Sequence, residues 1–148
     1  RTVLALNEIT NTLEGDILVF LPGYAEINNV RRQFSASLCD SQSLLLRIFP
    51  LYGALPFALQ QQAIEPLSQP DRQRGVRKIV LATDIAETSL TIEGITIVID
   101  SGLCRQPIFS PATGMTRLQT NSISQDSSIQ RMGRAGRLEP GQCFRLWS

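Results

Sequence analysis

An eight-residue segment, QRMGRAGR, carries the residue types best suited to chemistry in this chain, and it starts at Gln130. On a helix, Gln130, Arg134 and Arg137 are spaced at i, i+4 and i+7 and share one face, whereas Arg131 points elsewhere. Two guanidinium groups and an amide on one face suit a triphosphate and the charge that develops as its γ-phosphoryl group leaves. The alternative is a surface helix end whose arginines bond the last carbonyl groups.

A second polar segment follows a continuous apolar strand and contains Thr83, Ser89 and Thr91. Such hydroxyl groups often bond their own backbone in turns. Ligands of open α/β sheets, however, bind at the carboxyl ends of strands, which also allows these residues to face a ligand. Glu87 and Glu93 in the same segment are either part of that site or solvated loop acids.

Several classes of site are excluded by composition. The chain has no histidine, which removes Ser-His-Asp and Cys-His catalysis and the commonest metal ligand. Cys39, Cys104 and Cys143 are widely spaced and form no C-x-x-C pair, so we interpret them as buried or incidental thiols in a reducing compartment. There is neither a phosphate-binding G-x-x-x-x-G-K-[ST] loop nor a D-E-x-H sequence, and the only lysine, Lys78, lies within a predicted strand.

The net charge of +1 is unevenly distributed. Residues 1–100 carry 8 basic and 11 acidic side chains, whereas residues 101–148 carry 6 arginines and only Asp126 and Glu139. A basic end composed of arginine favours planar, bidentate contacts with phosphate. A solvated basic face is the alternative.

Strands and helices alternate along the 148 residues, which predicts a single α/β domain over 1–148 with a mostly parallel sheet covered by helices on both faces. The predicted strands are apolar runs at Asp16–Leu21, Leu44–Phe49, Lys78–Thr83, Ile95–Asp100 and Gln142–Trp147. The predicted helices are Val3–Glu14, an apolar stripe from Tyr24 to Leu38, Pro56–Leu67, and a helix capped by Ser124 or Ser127 that reaches about Arg134. Ser68–Gly75 is predicted to be a polar loop, and Gln106–Ser122 a β-hairpin.

Four blocks resemble the motifs of superfamily 2 helicases in the spelling of the DEAH/RHA group. The segment 130–137 resembles motif VI, 83–94 motif V, 17–23 motif IV and 51–56 motif IVa. The DEAD-box group usually has histidine in place of Gln130. The blocks follow the order of the family and span nearly the whole chain, and the stretch 111–141 is most similar to the bacterial HrpB branch.

The resemblance implies the second RecA-like domain of an ATP-dependent RNA helicase, with a β-hairpin insertion, as a fragment of a larger protein. Arg134 and Arg137 are then arginine fingers which, with Gln130, contact ATP held mainly by a first RecA-like domain on the N-terminal side. Ser89 and Glu93 lie near the nucleotide and the water shell of Mg²⁺, without direct metal ligation. Without that first domain, we expect the fragment not to hydrolyse ATP.

The resemblance also implies a track for single-stranded RNA, with the 105–122 hairpin placed where strands part. The residues assigned to this track are Gly23, Tyr24, Gly53, Thr83, Asp84 and Thr88. A track of hydroxyl groups and amides holds the RNA backbone without reading its sequence. A monomeric, cytoplasmic bacterial protein without membrane contact is expected. The alternatives are a DNA helicase of the same superfamily and a non-catalytic RecA-like scaffold that binds nucleic acid.

Three of the positions that depart from the pattern of the group bear on binding. Asp84 replaces a common Asn, which either weakens contact with the RNA backbone or requires a partner for the carboxylate. Glu93 replaces a common Asp and has a longer reach. Ile64 lies where many eukaryotic members place an aromatic residue that stacks on the base, so we expect little discrimination among ATP, GTP, CTP and UTP.

Overall fold

The architecture is that of a computed structural model, which describes residues 1–88, 90–136 and 140–147. Seven strands are present in these ranges: β1 (Asp16–Phe20), β2 (Leu46–Leu51), β3 (Arg77–Ala82), β4 (Ile95–Asp100), β5 (Leu103–Ser110), β6 (Met115–Ser122) and β7 (Gln142–Arg145). They are accompanied by the helices α1 (Thr2–Thr12), α2 (Tyr24–Ser37), α3 (Asp40–Leu44), α4 (Phe57–Ile64), α5 (Gln69–Gln73), α6 (Ile85–Thr88) and α7 (Gln125–Met132). The predicted sites Ser89 and Arg137 lie outside the described residues.

Five strands form a parallel sheet in the order β2-β3-β1-β4-β7, and β5 and β6 form a separate antiparallel hairpin. The three central strands are almost entirely buried, as expected for a sheet covered on both faces. Alternate residues of β1 enter two different cores: Ile17 and Val19 pack with α1 and α2, and Leu18 and Phe20 pack with α4 and α6. Burial of each such side chain contributes about 1.5–3 kcal/mol, so both helical layers are held firmly. The predicted α/β fold is confirmed.

The predicted elements mostly begin and end within a few residues of the observed ones, with two corrections. Ser68–Gly75 is not a loop throughout, because it contains α5, whose first turn is capped by the Ser68 hydroxyl group accepting from the Asp71 amide. The helix predicted to reach Arg134 ends at Met132, and Gly133 forms its C-terminal cap. Arg134 therefore lies outside α7, and the helical spacing that grouped it with Gln130 does not apply.

Loops from four strands meet at one edge of the sheet, which we call the carboxyl edge: the segments that follow Phe20, Leu51, Ala82 and Asp100. Backbone hydrogen bonds fasten these segments to the neighbouring strands. The Leu21 amide donates to the Ala82 carbonyl at 2.8 Å, and the Thr83 amide donates to the Leu51 carbonyl at 3.1 Å. The loops that carry the predicted polar residues therefore start from fixed positions.

Candidate functional site

Arg134 is directed back onto the segment that follows β3. Its side chain is only 9% exposed, and its Nε donates to the Glu87 carbonyl at 2.6 Å while Nη1 donates to the Leu90 carbonyl at 2.9 Å. Nη2 also donates to the Glu87 carbonyl. A buried guanidinium group needs such acceptors, because leaving its donors without partners is costly. Gln130, in contrast, is exposed on α7.

A cavity of about 500 Å³ brings Arg134 close to another predicted site residue. Glu93, Thr91 and Arg134 all line it, and Glu93 and Thr91 are exposed. The lining also includes an ion pair in which Arg72 donates to both carboxylate oxygens of Asp16, at 3.2 and 2.7 Å. A cavity of this size is within the range of small-molecule sites. Its combination of carboxylate, hydroxyl and guanidinium groups suits a phosphate ligand accompanied by a hydrated divalent cation.

Arg131 is completely buried and joins parts of the chain that sequence reasoning did not connect. Its Nε contacts Glu87 Oε1 at 2.7 Å, its Nη1 contacts Asp100 Oδ1 at 2.8 Å, and its Nη2 donates to the Leu103 carbonyl at 3.2 Å. The guanidinium carbon lies 4.8 Å from the centroid of the Phe20 ring. Arg131 does point away from Gln130, as expected, but Glu87 is not a solvated loop acid. The one available signal was Asp100, an acid that ends an apolar strand and therefore needs a buried partner.

The predicted residues at the ends of β1 and β2 lie together at the carboxyl edge. The rings of Tyr24 and Tyr52 meet edge to face, with centroids 5.0 Å apart, and Tyr24 is 54% exposed. Around Gly53, the space that a Cβ atom would occupy is open. Tyr52, whose ring contacts Tyr24, was not among the residues predicted for this edge, although its place at the end of a strand, directly before a glycine, was a usable signal.

The residues after β3 present polar groups at the same edge. Thr83 is half-buried, and Asp84 and Thr88 are exposed. The turn that begins α6 is made by the carbonyls of Thr83 and Asp84, which accept from the amides of Ala86 and Glu87. The Thr83 hydroxyl group has no hydrogen-bond partner among the described residues, so it is not a turn-stabilising group there. Within the same ranges, the carboxylate of Asp84 makes no ion pair.

The β5–β6 hairpin is anchored to this edge by Arg105. Its Nη2 contacts the Glu26 carboxylate oxygens at 2.7 and 3.0 Å. A Cβ atom on Gly23 would approach the Arg105 guanidinium group to 2.9 Å, so glycine allows the close approach. The distal part of the hairpin is exposed and includes large apolar side chains, namely Phe109, Met115 and Leu118.

Other expected features are located as follows. Ile64 ends α4 and packs against the core beside β3. Cys39 is exposed, Cys104 buried and Cys143 half-buried, and none forms a disulfide; burial raises the pKa of the Cys104 and Cys143 thiols.

No cluster of three or more metal-ligating side chains occurs in the described ranges. In the same ranges, no helix has the length and apolar character required to cross a bilayer.

Comparisons with known proteins identify the family of the chain. The chain is 51% identical, over 97% of its length, to a protein of Escherichia coli K12 named ATP-dependent RNA helicase HrpB, and it spans 17% of that protein. Two crystal structures match with a TM-score of 0.86 and 46% identity over 99% of this chain, one of E. coli DExH-box NTPase HrpB and one of Escherichia coli DEAH/RHA helicase HrpB. The chain covers 17% and 18% of those two chains. The profile of the helicase conserved C-terminal domain matches residues 2–139, and the chain belongs to this family.

Proposed function

We propose that the chain is the second motor domain of an ATP-dependent RNA helicase, as in the similar protein named RNA helicase HrpB. In this proposal, Gln130, Arg134 and Arg137 contact ATP that a first RecA-like domain of the same protein holds. The observation that carries the proposal is the shared cavity of Arg134 and Glu93, because it brings together two residues that the resemblance assigns to the nucleotide. The 148 residues contain no phosphate-binding loop, so catalysis requires the other domain.

On the nucleotide side, the arginines neutralise the charge that develops on the departing γ-phosphoryl group. Arg134 donates to the carbonyls of Glu87 and Leu90 in the structure. Closure of the two domains exchanges these neutral acceptors for phosphate oxygens, which form stronger, charge-assisted bonds. Glu93 and Ser89 would hold water molecules of the Mg²⁺ that accompanies the nucleotide, and Glu93 lines the cavity with Arg134.

On the RNA side, the carboxyl edge holds the backbone of a single strand. The exposed Tyr24 ring offers a stacking surface, and the Thr83 hydroxyl group is available as a donor. Gly53 leaves space for close approach. Gly23, Asp84 and Thr88 complete the track. Contacts to phosphate and sugar carry no sequence information, and a ring stacks on any base, so RNA is held with little regard to sequence.

The two sides combine into a motor cycle. ATP draws the two RecA-like domains together, and hydrolysis allows them to separate, so that RNA contacts on both domains alternate along the strand. The 105–122 hairpin stands at the carboxyl edge, where it meets paired strands. The full protein acts as a monomer in the bacterial cytoplasm, with RNA and its own first domain as partners and without membrane contact.

The test is ATP turnover by the full-length protein with Arg137→Ala. We expect kcat to fall by about 10³-fold or more, because an arginine finger contributes about 10³–10⁵ to kcat. Nucleotide binding should persist, since the first domain holds most of the ligand. Arg74→Ala is the matched control, because Arg74 is exposed and, among the described residues, forms its ion pair with Asp71 alone. Near-normal turnover in Arg137→Ala refutes the finger role.

A second assay separates RNA from DNA as the polymer. Turnover of the full-length protein is measured with RNA and DNA strands of equal length and sequence. Stronger stimulation by RNA supports a helicase that depends on the 2′-hydroxyl group. Stronger stimulation by DNA supports the DNA helicase alternative, and an absence of turnover with either polymer supports a non-catalytic scaffold.

A further inference from the structure

One buried side chain connects the helix that carries the RNA contacts with the helix that leads to the arginine fingers. Arg131 lies on α7, three residues before Arg134, and binds Glu87 of α6 through Nε at 2.7 Å. The Ser127 hydroxyl group, one helical turn earlier on α7, donates to the other carboxylate oxygen of Glu87 at 3.2 Å. Two side chains of α7 therefore hold both oxygens of a single carboxylate.

Glu87 is also held through its main chain. Arg134 donates to the Glu87 carbonyl, so α6 is bound to the α7 region at two points of one residue. α6 is only four residues long: Thr83 and Asp84 directly precede it, and Thr88 is its last residue. Three residues of the proposed RNA track and the carbonyl groups that accept from Arg134 are consequently parts of one short segment.

The remaining contacts of Arg131 fix this segment to the core. Asp100, at the end of β4, is completely buried and accepts from Arg131 Nη1 at 2.8 Å. Asp100 Oδ1 also accepts from the Gly102 amide at 2.9 Å, where the chain turns into the hairpin, and Arg131 Nη2 reaches the Leu103 carbonyl. The Phe20 ring lies beside the guanidinium group. The Arg131 side chain thus contacts α6, β1, β4 and the base of the hairpin.

We infer that Arg131 is a positioning residue that couples RNA contact at α6 to the placement of Arg134, through its ion pair with Glu87. The inference rests on the proposed function. With the pair intact, α6 and α7 move as one unit, and a shift imposed by RNA on Thr83, Asp84 or Thr88 reaches the carbonyl that binds Arg134. With the pair broken, α6 moves without α7, and RNA no longer affects the finger.

Planarity explains why arginine is suited to this position. A guanidinium group directs Nε, Nη1 and Nη2 in three fixed directions, and here they meet a carboxylate of α6, a carboxylate of β4 and a main-chain carbonyl. A lysine ammonium group at this position retains the charge but cannot span the three acceptors in the same geometry. Arg131→Lys therefore tests geometry at constant charge, and Glu87→Gln tests charge at nearly constant shape.

The experiment measures ATP turnover by the full-length protein, without RNA and with saturating single-stranded RNA, for Arg131→Lys, Glu87→Gln and the double variant. We expect RNA-independent turnover to stay within about twofold and stimulation by RNA to fall at least about fivefold, which is at the lower end of typical coupling between sites. The double variant should lose no more stimulation than the single variants, because both remove one shared interaction. Arg77→Lys is the control, since Arg77 bonds the carbonyls of Gly15 and Thr10 far from α6.

Thermal unfolding of each variant separates coupling from general damage. If Arg131→Lys does not fold, Ser127→Ala provides a milder test, because it removes only the 3.2 Å bond to Glu87, and it should also reduce stimulation. Folded variants with unchanged stimulation overturn the inference, as does a parallel fall in turnover with and without RNA. If the unsubstituted protein shows no RNA-stimulated turnover, the proposed function itself fails, and the inference fails with it.

Discussion

Replacement of Lys78 by methionine should make the domain more stable at neutral pH. Lys78 is completely buried in β3, where its Nζ donates to the Glu65 carbonyl at 2.6 Å and lies 5.4 Å from the centroid of the Phe49 ring. Burial lowers the pKa of this ammonium group from 10.5 to about 8. At about 1.4 kcal/mol per pKa unit, keeping the charge at pH 7 costs roughly 3 kcal/mol. Methionine avoids this cost and loses one hydrogen bond, worth about 1 kcal/mol, so a net gain of roughly 2 kcal/mol is expected.

The pH dependence identifies the cause of that gain. The folded-state pKa of Lys78 lies below its value in the unfolded chain, so between about pH 8 and 10.5 the unfolded state binds more protons. The stability of the unsubstituted chain should therefore rise with pH relative to Lys78→Met, and the advantage of the variant should largely disappear by pH 10.5. Cysteine and tyrosine side chains also titrate at alkaline pH, but both proteins contain the same ones. The difference in stability between the two proteins therefore reports on Lys78 alone.

Urea unfolding of the 148-residue chain at pH 7 and pH 10 measures both effects, with Arg74→Met as a control that removes a charge from an exposed position. The control should change stability by no more than about 0.5 kcal/mol. A Lys78→Met chain that is less stable than the unsubstituted chain at pH 7 would contradict the reasoning. A stability advantage of Lys78→Met that is equally large at pH 7 and pH 10 would also contradict the reasoning.

Three further results are expected from the full-length protein. Asp84→Asn should raise RNA affinity by about two- to fivefold at low salt, because it removes one exposed negative charge beside phosphate, and filter binding should show the gain shrinking as salt is added. Since Ile64 packs against the core and offers no ring for stacking, competition binding should give similar affinities for ATP, GTP, CTP and UTP; a strong preference for ATP would refute this. Glu26→Gln should weaken the ion pair through which Arg105 anchors the hairpin, so that strand separation falls while RNA-stimulated ATP turnover is retained. A parallel loss of both activities would show that the hairpin anchor has another role.

The sheet could be predicted because its strands are buried on both faces and therefore appear as uninterrupted apolar runs. Ile95–Asp100 was predicted to the residue for this reason. α5 could not be recognised, because its five residues include no apolar position other than Pro70, and only the Ser68 cap marks its start. The end of α7 was misjudged, although Gly133 and Gly136 were visible in the sequence; Gly136 adopts φ = +72°, which is incompatible with a continuing helix.

The candidate site was less predictable than the fold, since its contacts join distant parts of the chain. Arg131 pairs with Glu87 and Asp100, which lie 44 and 31 positions away, and no local pattern indicates either pair. The position of Thr83 at the carboxyl edge was predictable, because it follows directly from the end of a strand. The bonds of Arg134 to main-chain carbonyls were not, because they depend on how α6 packs beside α7.

The central claim is tested most directly by a structure of the full-length protein with single-stranded RNA, ADP, Mg²⁺ and an aluminium fluoride that mimics the departing phosphoryl group. The proposal predicts that the guanidinium groups of Arg134 and Arg137 lie at hydrogen-bond distance, about 3 Å, from the fluoride or phosphate atoms. Arg134 should then have left the carbonyls of Glu87 and Leu90. A closed complex in which Arg134 keeps those carbonyls and Arg137 points away from the nucleotide would contradict the account.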